Sequence, residues 1–146
     1  MVLSQTIAPS GNRSSGSVRI LLADDDATFR YALKCVLGTA GYEVIEAWDG
    51  AMALDLLAAA ATGASEPLDV VVLDCLMPFC SGLGILEVMR TFPDPPPTLL
   101  VTSFMDRSVD VLASRLGAVR VMHKPVDLDD VLAAVLAASR LRRAPG

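Results

Sequence analysis

The stretch Val70-Val71-Val72-Leu73-Asp74-Cys75-Leu76-Met77-Pro78 sets four apolar residues directly before a carboxylate, and reads as a short strand that ends in an acid. Three other apolar runs close in the same manner. Ile20-Leu21-Leu22-Ala23 precedes Asp24-Asp25, Leu99-Leu100-Val101 precedes Thr102, and Val119-Arg120-Val121-Met122-His123 precedes Lys124. If the runs are parallel strands, Asp24, Asp25, Asp74, Thr102 and Lys124 share one rim. Ligands of open α/β sheets bind outside the carboxyl ends of the strands, so this rim is the expected site. Three carboxylates, a hydroxyl and an ammonium suit a divalent cation together with a phosphoryl group.

Between the runs the apolar residues change to helical spacing. Asp26 is placed to cap a helix with Phe29, Leu33, Val36 and Leu37 on one face, and Gly41 to end it. Tyr42 to Ala47 makes a second strand, and Gly50 opens an alanine-rich helix to about Ala61 whose Met52, Leu54, Leu56 and Leu57 are packing residues. A third helix runs from Gly82 to Thr91 and stops before the prolines at 93 and 95–97. The repeat Val109, Leu112, Leu116 predicts a fourth helix over Met105–Leu116, closed by Gly117. Asp127 caps the last helix, in which Leu128, Val131, Leu132, Val135 and Leu136 trace an apolar stripe. Five strands alternating with five helices predict a parallel sheet covered on both faces.

The chain of 146 residues fits one domain. Met1 to Ser17 lacks periodicity and reads as a flexible leader, residues 18–140 as the domain, and residues 141–146 as a short tail. The protein is expected to stand alone as this domain or to be a fragment of a longer one. A formal charge of −5 gives no general attraction for nucleic acid or anionic membrane. With no apolar stretch long enough to span a bilayer and no signal pattern, a cytoplasmic location is expected. Cys35, Cys75 and Cys80 form no C-x-x-C pair and have only His123 as a companion ligand, which argues against zinc and for reduced cysteines in or near the core.

Magnesium takes oxygen ligands and usually one or two protein carboxylates. Asp25 and Asp74 are the candidate direct ligands, with Asp24 acting through water. Asp74, beside such a cation, is placed to attack phosphorus and hold an acyl phosphate. Lys124 would bind a phosphoryl oxygen, and Thr102 would donate its hydroxyl to another.

Over about Val18 to Ser139 the chain resembles the receiver domains of bacterial two-component response regulators. The resemblance rests on Ile20-Leu21-Leu22-Ala23-Asp24-Asp25-Asp26, Val72-Leu73-Asp74-Cys75-Leu76-Met77-Pro78 followed by Gly82, Leu100-Val101-Thr102-Ser103, and Gly117-Ala118 leading to Lys124-Pro125. It implies a flavodoxin-like α/β fold, a doubly wound five-stranded parallel sheet of order 2-1-3-4-5 with five helices. It also implies that Asp74 accepts a phosphoryl group from a histidine kinase or phosphotransfer protein, with Mg²⁺ held by Asp25, Asp74 and the carbonyl of Leu76. A cis peptide between Lys124 and Pro125 is implied as well. Such a domain catalyses only its own phosphorylation and dephosphorylation. Its signal leaves through the face of the fourth helix, fifth strand and fifth helix, toward a protein target or a second copy.

One departure bears on output. The aromatic residue that such domains commonly carry three positions before the lysine is Val121 here, so Phe104 is a candidate substitute. Leu76 and Phe104, both apolar, stand where such domains have variable residues near the path of hydrolytic water, which predicts a long-lived phosphoryl group on Asp74. Two other readings stay open. Asp24-Asp25-Asp26-Ala27-Thr28 also looks like the D-x-D-x-T motif of haloacid dehalogenase-type phosphatases, with Asp24 as nucleophile and Asp26 as acid/base. The other is an interaction module of the same fold that does not use phosphorylation.

Overall fold

Residues 16–143 are described by a computed structural model of the chain. Residues 1–15 of the expected leader and 144–146 of the expected tail lie outside the described residues. The five runs become β1 (Arg19–Ala23), β2 (Glu43–Ala47), β3 (Val70–Leu73), β4 (Thr98–Thr102) and β5 (Ala118–His123). They pair in parallel in the order β2-β1-β3-β4-β5, so the flavodoxin-like order 2-1-3-4-5 is the one observed. The connections are α1 (Ala27–Thr39), α2 (Gly50–Thr62), α3 (Gly82–Met89) and α4 (Arg107–Arg115), and α5 (Leu128–Arg143) follows β5.

The sheet divides the apolar interior into two layers because alternate strand residues point to opposite faces. Leu21, Val71, Leu73 and Leu100 pack with Leu57 of α2, Ile85 and Met89 of α3 and Ala113 of α4. Ile20, Leu22, Val72, Leu99 and Val101 pack with Leu33 and Leu37 of α1 and Val131 and Val135 of α5. Every residue of β3 is buried, as its unbroken apolar run requires between two helical layers.

Local side-chain chemistry starts the helices. Asp26 accepts from the Phe29 N–H at 3.2 Å, as expected, and Asp49 and Ser81 cap α2 and α3 in the same way, at 2.8 and 3.1 Å. Asp127 accepts from the Asp129 N–H at 2.8 Å ahead of α5. The fourth helix corrects the expectation: it begins at Arg107, not Met105, because Asp106 accepts from the Ser108 N–H at 2.9 Å and ends the preceding loop. Its buried residue is Ala113, while Leu112 is 45% exposed; Val109 and Leu116 do pack on the core. Cys35 is also a correction, since it is exposed on α1 between the inward Leu33 and Leu37. Cys75 is buried, and all three cysteines are free.

Two glycines permit close approach beside the rim. The Gly50 N–H donates to the Pro78 carbonyl at 3.0 Å, and a Cβ on Gly50 would run into the Cys80 carbonyl. A Cβ on Gly82 would meet the carbonyl of Asp74. Backbone cannot yield as a flexible side chain does, so both sites exclude any larger residue. Gly50→Ala should therefore cost about 1–3 kcal/mol, read as a lower thermal midpoint by circular dichroism. Gly38→Ala, where a Cβ meets nothing, should not lower it.

Candidate functional site

The register of β1 and β3 pairs Ala23 with Leu73, so both strands run out together and the next residues are Asp24 and Asp74. Their backbones are anchored by bonds from the Asp24 N–H to the Ala47 carbonyl at 3.0 Å and from the Asp74 N–H to the Ala23 carbonyl at 2.9 Å. Asp24 and Asp74 are buried, and Asp25 is exposed where the chain turns toward α1. One carboxylate oxygen from each of Asp24, Asp25 and Asp74 lies within 4.8 Å of the others. Among the described residues this is the one grouping of three or more acidic, histidine or cysteine side chains close enough to share an ion. The donors are all carboxylate oxygens, which fit magnesium and do not fit the soft ligand set of a zinc site.

β4 and β5 bring the other two groups. The Lys124 N–H donates to the Thr102 carbonyl at 2.8 Å, and the Lys124-Pro125 peptide is cis. The Lys124 ammonium is 2.7 Å from Asp24 Oδ2 and 3.7 Å from Asp74 Oδ2. It also stands 4.2 Å above the centre of the Phe29 ring, whose negative face favours a cation. The other oxygen of Asp24 accepts from the Asp26 N–H at 2.9 Å, so Asp24 is fully partnered.

Asp74 is held more loosely. The Leu76 N–H is 3.4 Å from its Oδ1, and Lys124 is committed to the neighbouring acid. Burial pushes the Asp74 carboxyl up to about 6 and the Asp24 charge adds to it, against Lys124, the Leu76 amide and the Thr102 hydroxyl. Thr102 is fully buried, and its Oγ1 accepts from the Phe104 N–H at 3.0 Å, which leaves its own proton to donate.

All five side chains expected on the rim are thus brought together. Asp26, the acid/base of the phosphatase reading, accepts from the Phe29 N–H as the cap of α1. Two features escaped the sequence. Phe29 was legible only as a packing residue of α1, and the contact between His123 Nε2 and Asp110 Oδ2 at 2.8 Å had no local signal. Phe79 adds a third surprise, a non-glycine residue at φ 72° in the loop after β3, with its side chain 85% exposed.

Residues 20–136 match the response regulator receiver domain family. The response regulator MprA of Mycobacterium bovis is 37% identical over 124 residues, 85% of this chain and 51% of that protein. MprA of Mycolicibacterium vanbaalenii is 38% identical over 123 residues, covering 84% and 51%. The chain therefore spans about half the length of these relatives. A CheY-like receiver domain protein from Methanospirillum hungatei superposes with a TM-score of 0.78 at 25% identity, over 89% of this chain and 99% of that one. A receiver domain protein from Clostridium thermocellum does so with a TM-score of 0.76 at 28% identity, over 86% and 97%. With the fold, the acidic rim and the family match in agreement, this chain belongs to the receiver domains of two-component response regulators.

Proposed function

We propose that Asp74 is the phosphoacceptor of a signalling domain, loaded by a sensor histidine kinase or a histidine phosphotransfer protein in the cytoplasm. The observation that supports this most is the contrast within the acidic pair. Asp24 is saturated by Lys124 at 2.7 Å and by a backbone N–H, whereas Asp74, 3.7 Å from Lys124 and 3.4 Å from the Leu76 N–H, has the loosely held oxygens a nucleophile needs. A carboxylate oxygen of Asp74 attacks phosphorus, the P–N bond of the phosphohistidine breaks, and the departing imidazole keeps the electron pair and takes up a proton. The product is an acyl phosphate that carries more negative charge than the carboxylate it replaces.

Asp25, Asp74 and the Leu76 carbonyl would hold Mg²⁺, with Asp24 acting through water. Bound there, the ion supplies positive charge that offsets repulsion between Asp74 and the incoming phosphoryl oxygens. Lys124 moves its charge from Asp24 to one of those oxygens. Thr102 donates to another, and its displacement draws on the loop at 103–106 and so alters the face formed by α4, β5 and α5. That face then binds a downstream protein or a second copy. Beyond its own phosphorylation and dephosphorylation the domain catalyses nothing.

Labelled acetyl phosphate with Mg²⁺ should phosphorylate the protein, and Asp74→Asn should abolish the label; label retained in the variant would place the acceptor elsewhere. Leu76 and Phe104 are apolar and close in the chain to Asp74 and Thr102, and in this reading they hinder hydrolytic water. The phosphoryl group should accordingly decay over minutes or longer in a phosphate-affinity gel, and loss within seconds would contradict this.

The raised carboxyl of Asp74 has a sign that can be checked without any phosphodonor. Between the ordinary aspartate value of 3.8 and about 6 the folded metal-free protein binds more protons than the unfolded chain. The stability contribution of Asp74 is thus present below that window and lost as pH rises through it. In a chelator, the thermal midpoint of Asp74→Asn should gain on the parent protein as pH goes from 4 to 7. Mg²⁺ at about a hundred times its dissociation constant should stabilise the parent by about 2.7 kcal/mol and the variant by much less.

A further inference from the structure

Thr102 and His123 are register partners at the ends of β4 and β5, so both side chains stand on the sheet face that carries Leu100 and Val121. That is the face covered by α4. His123 reaches it through the 2.8 Å contact between its Nε2 and Asp110 Oδ2, with Nε2–H the donor. The pair is incompletely satisfied: Asp110 Oδ1 and His123 Nδ1 are both shut off from solvent and have no hydrogen-bond partner. Buried polar atoms left without partners weaken an arrangement against its alternatives. Few apolar contacts oppose a change, since Ala113 is the one buried residue of α4.

Asp110 also sits at the receiving end of the loop from Thr102. It belongs to the first turn of α4, and its N–H donates to the Asp106 carbonyl at 3.2 Å. Residues 103–106 are all that separates Thr102 from that helix. The other end of the contact is as close to the rim, because His123 adjoins Lys124 in the chain.

We propose that the Asp110–His123 pair reports the state of Asp74 to α4. It is closed while Thr102 Oγ1 accepts from the Phe104 N–H, and it opens when Thr102 is drawn toward a phosphoryl group, releasing the first turn of α4. Val121, half-buried on the same face, has no polar atom with which to follow Thr102, whereas the imidazole lies in register with it. This role rests on the reading of Asp74 as the phosphoacceptor.

The chain has a single histidine, so its imidazole nitrogens give an unambiguous signal in a nitrogen-labelled protein without a histidine tag. With Mg²⁺ present, beryllofluoride, a phosphoryl mimic, should shift both His123 ring nitrogens along with the amides of Asp74 to Leu76, and should speed amide exchange over Arg107–Arg115. In Asp110→Asn without beryllofluoride, exchange over that helix should already be raised. Ring nitrogens that stay still while the Asp74 to Leu76 amides move would overturn the proposal. So would α4 exchange in Asp110→Asn equal to that of the parent. If no amide near Asp74 responds in the parent, the phosphoacceptor reading itself falls, and this inference with it.

Discussion

Three carboxylates crowded at one rim with a single ammonium between them constitute the constraint around which the molecule is organised. Like charges so close in a half-buried site repel, and repulsion is relieved by a proton, a lysine or a cation. The fold settles the matter unevenly. Lys124 takes Asp24 at 2.7 Å, and Asp74 is left with its carboxyl displaced toward the protonated form. That asymmetry between two neighbouring acids is what the proposed role of Asp74 draws on.

The frame is the strand order. Placing β1 beside β3 sets Asp24 and Asp74 next to each other although fifty residues separate them in the chain. Placing β4 and β5 on the other side of β3 brings Thr102 and Lys124 from further along. Each strand end is then fixed by a neighbour's carbonyl, as the bonds from Asp24 to Ala47, from Asp74 to Ala23 and from Lys124 to Thr102 illustrate. The rim residues Asp24, Asp74 and Lys124 are thus positioned by backbone bonds of the sheet.

Much of this was legible in the residues because strands and their ends are local patterns. An apolar run closed by Asp74, or by Thr102, announces both a buried strand and the rim residue, and the acid at 26 announces a cap. What escaped depended on how elements rotate against one another. Periodicity alone places Leu112 inward, but α4 buries the small Ala113 and leaves Leu112 45% exposed. Free cysteines usually lie in or near a core, yet Cys35 falls off the Leu33–Leu37 stripe and is exposed. Neither Asp110 nor His123 carries any mark of the other, since a contact between a helix and a strand end exists only after packing.

The sheet also has a consequence for how such a protein can diverge. Its two apolar layers, one beneath α2, α3 and α4 and the other beneath α1 and α5, are built from alternate residues of the same strands and share no side chains. Changes in stability at well-separated sites without common partners add nearly independently. The layers still meet at the strand backbone, where neighbours such as Leu21 and Leu22 belong to opposite ones, so a repacking that shifts a strand is felt on both sides. A surface formed by α4, β5 and α5 straddles that division, with α4 resting on one layer and α5 on the other.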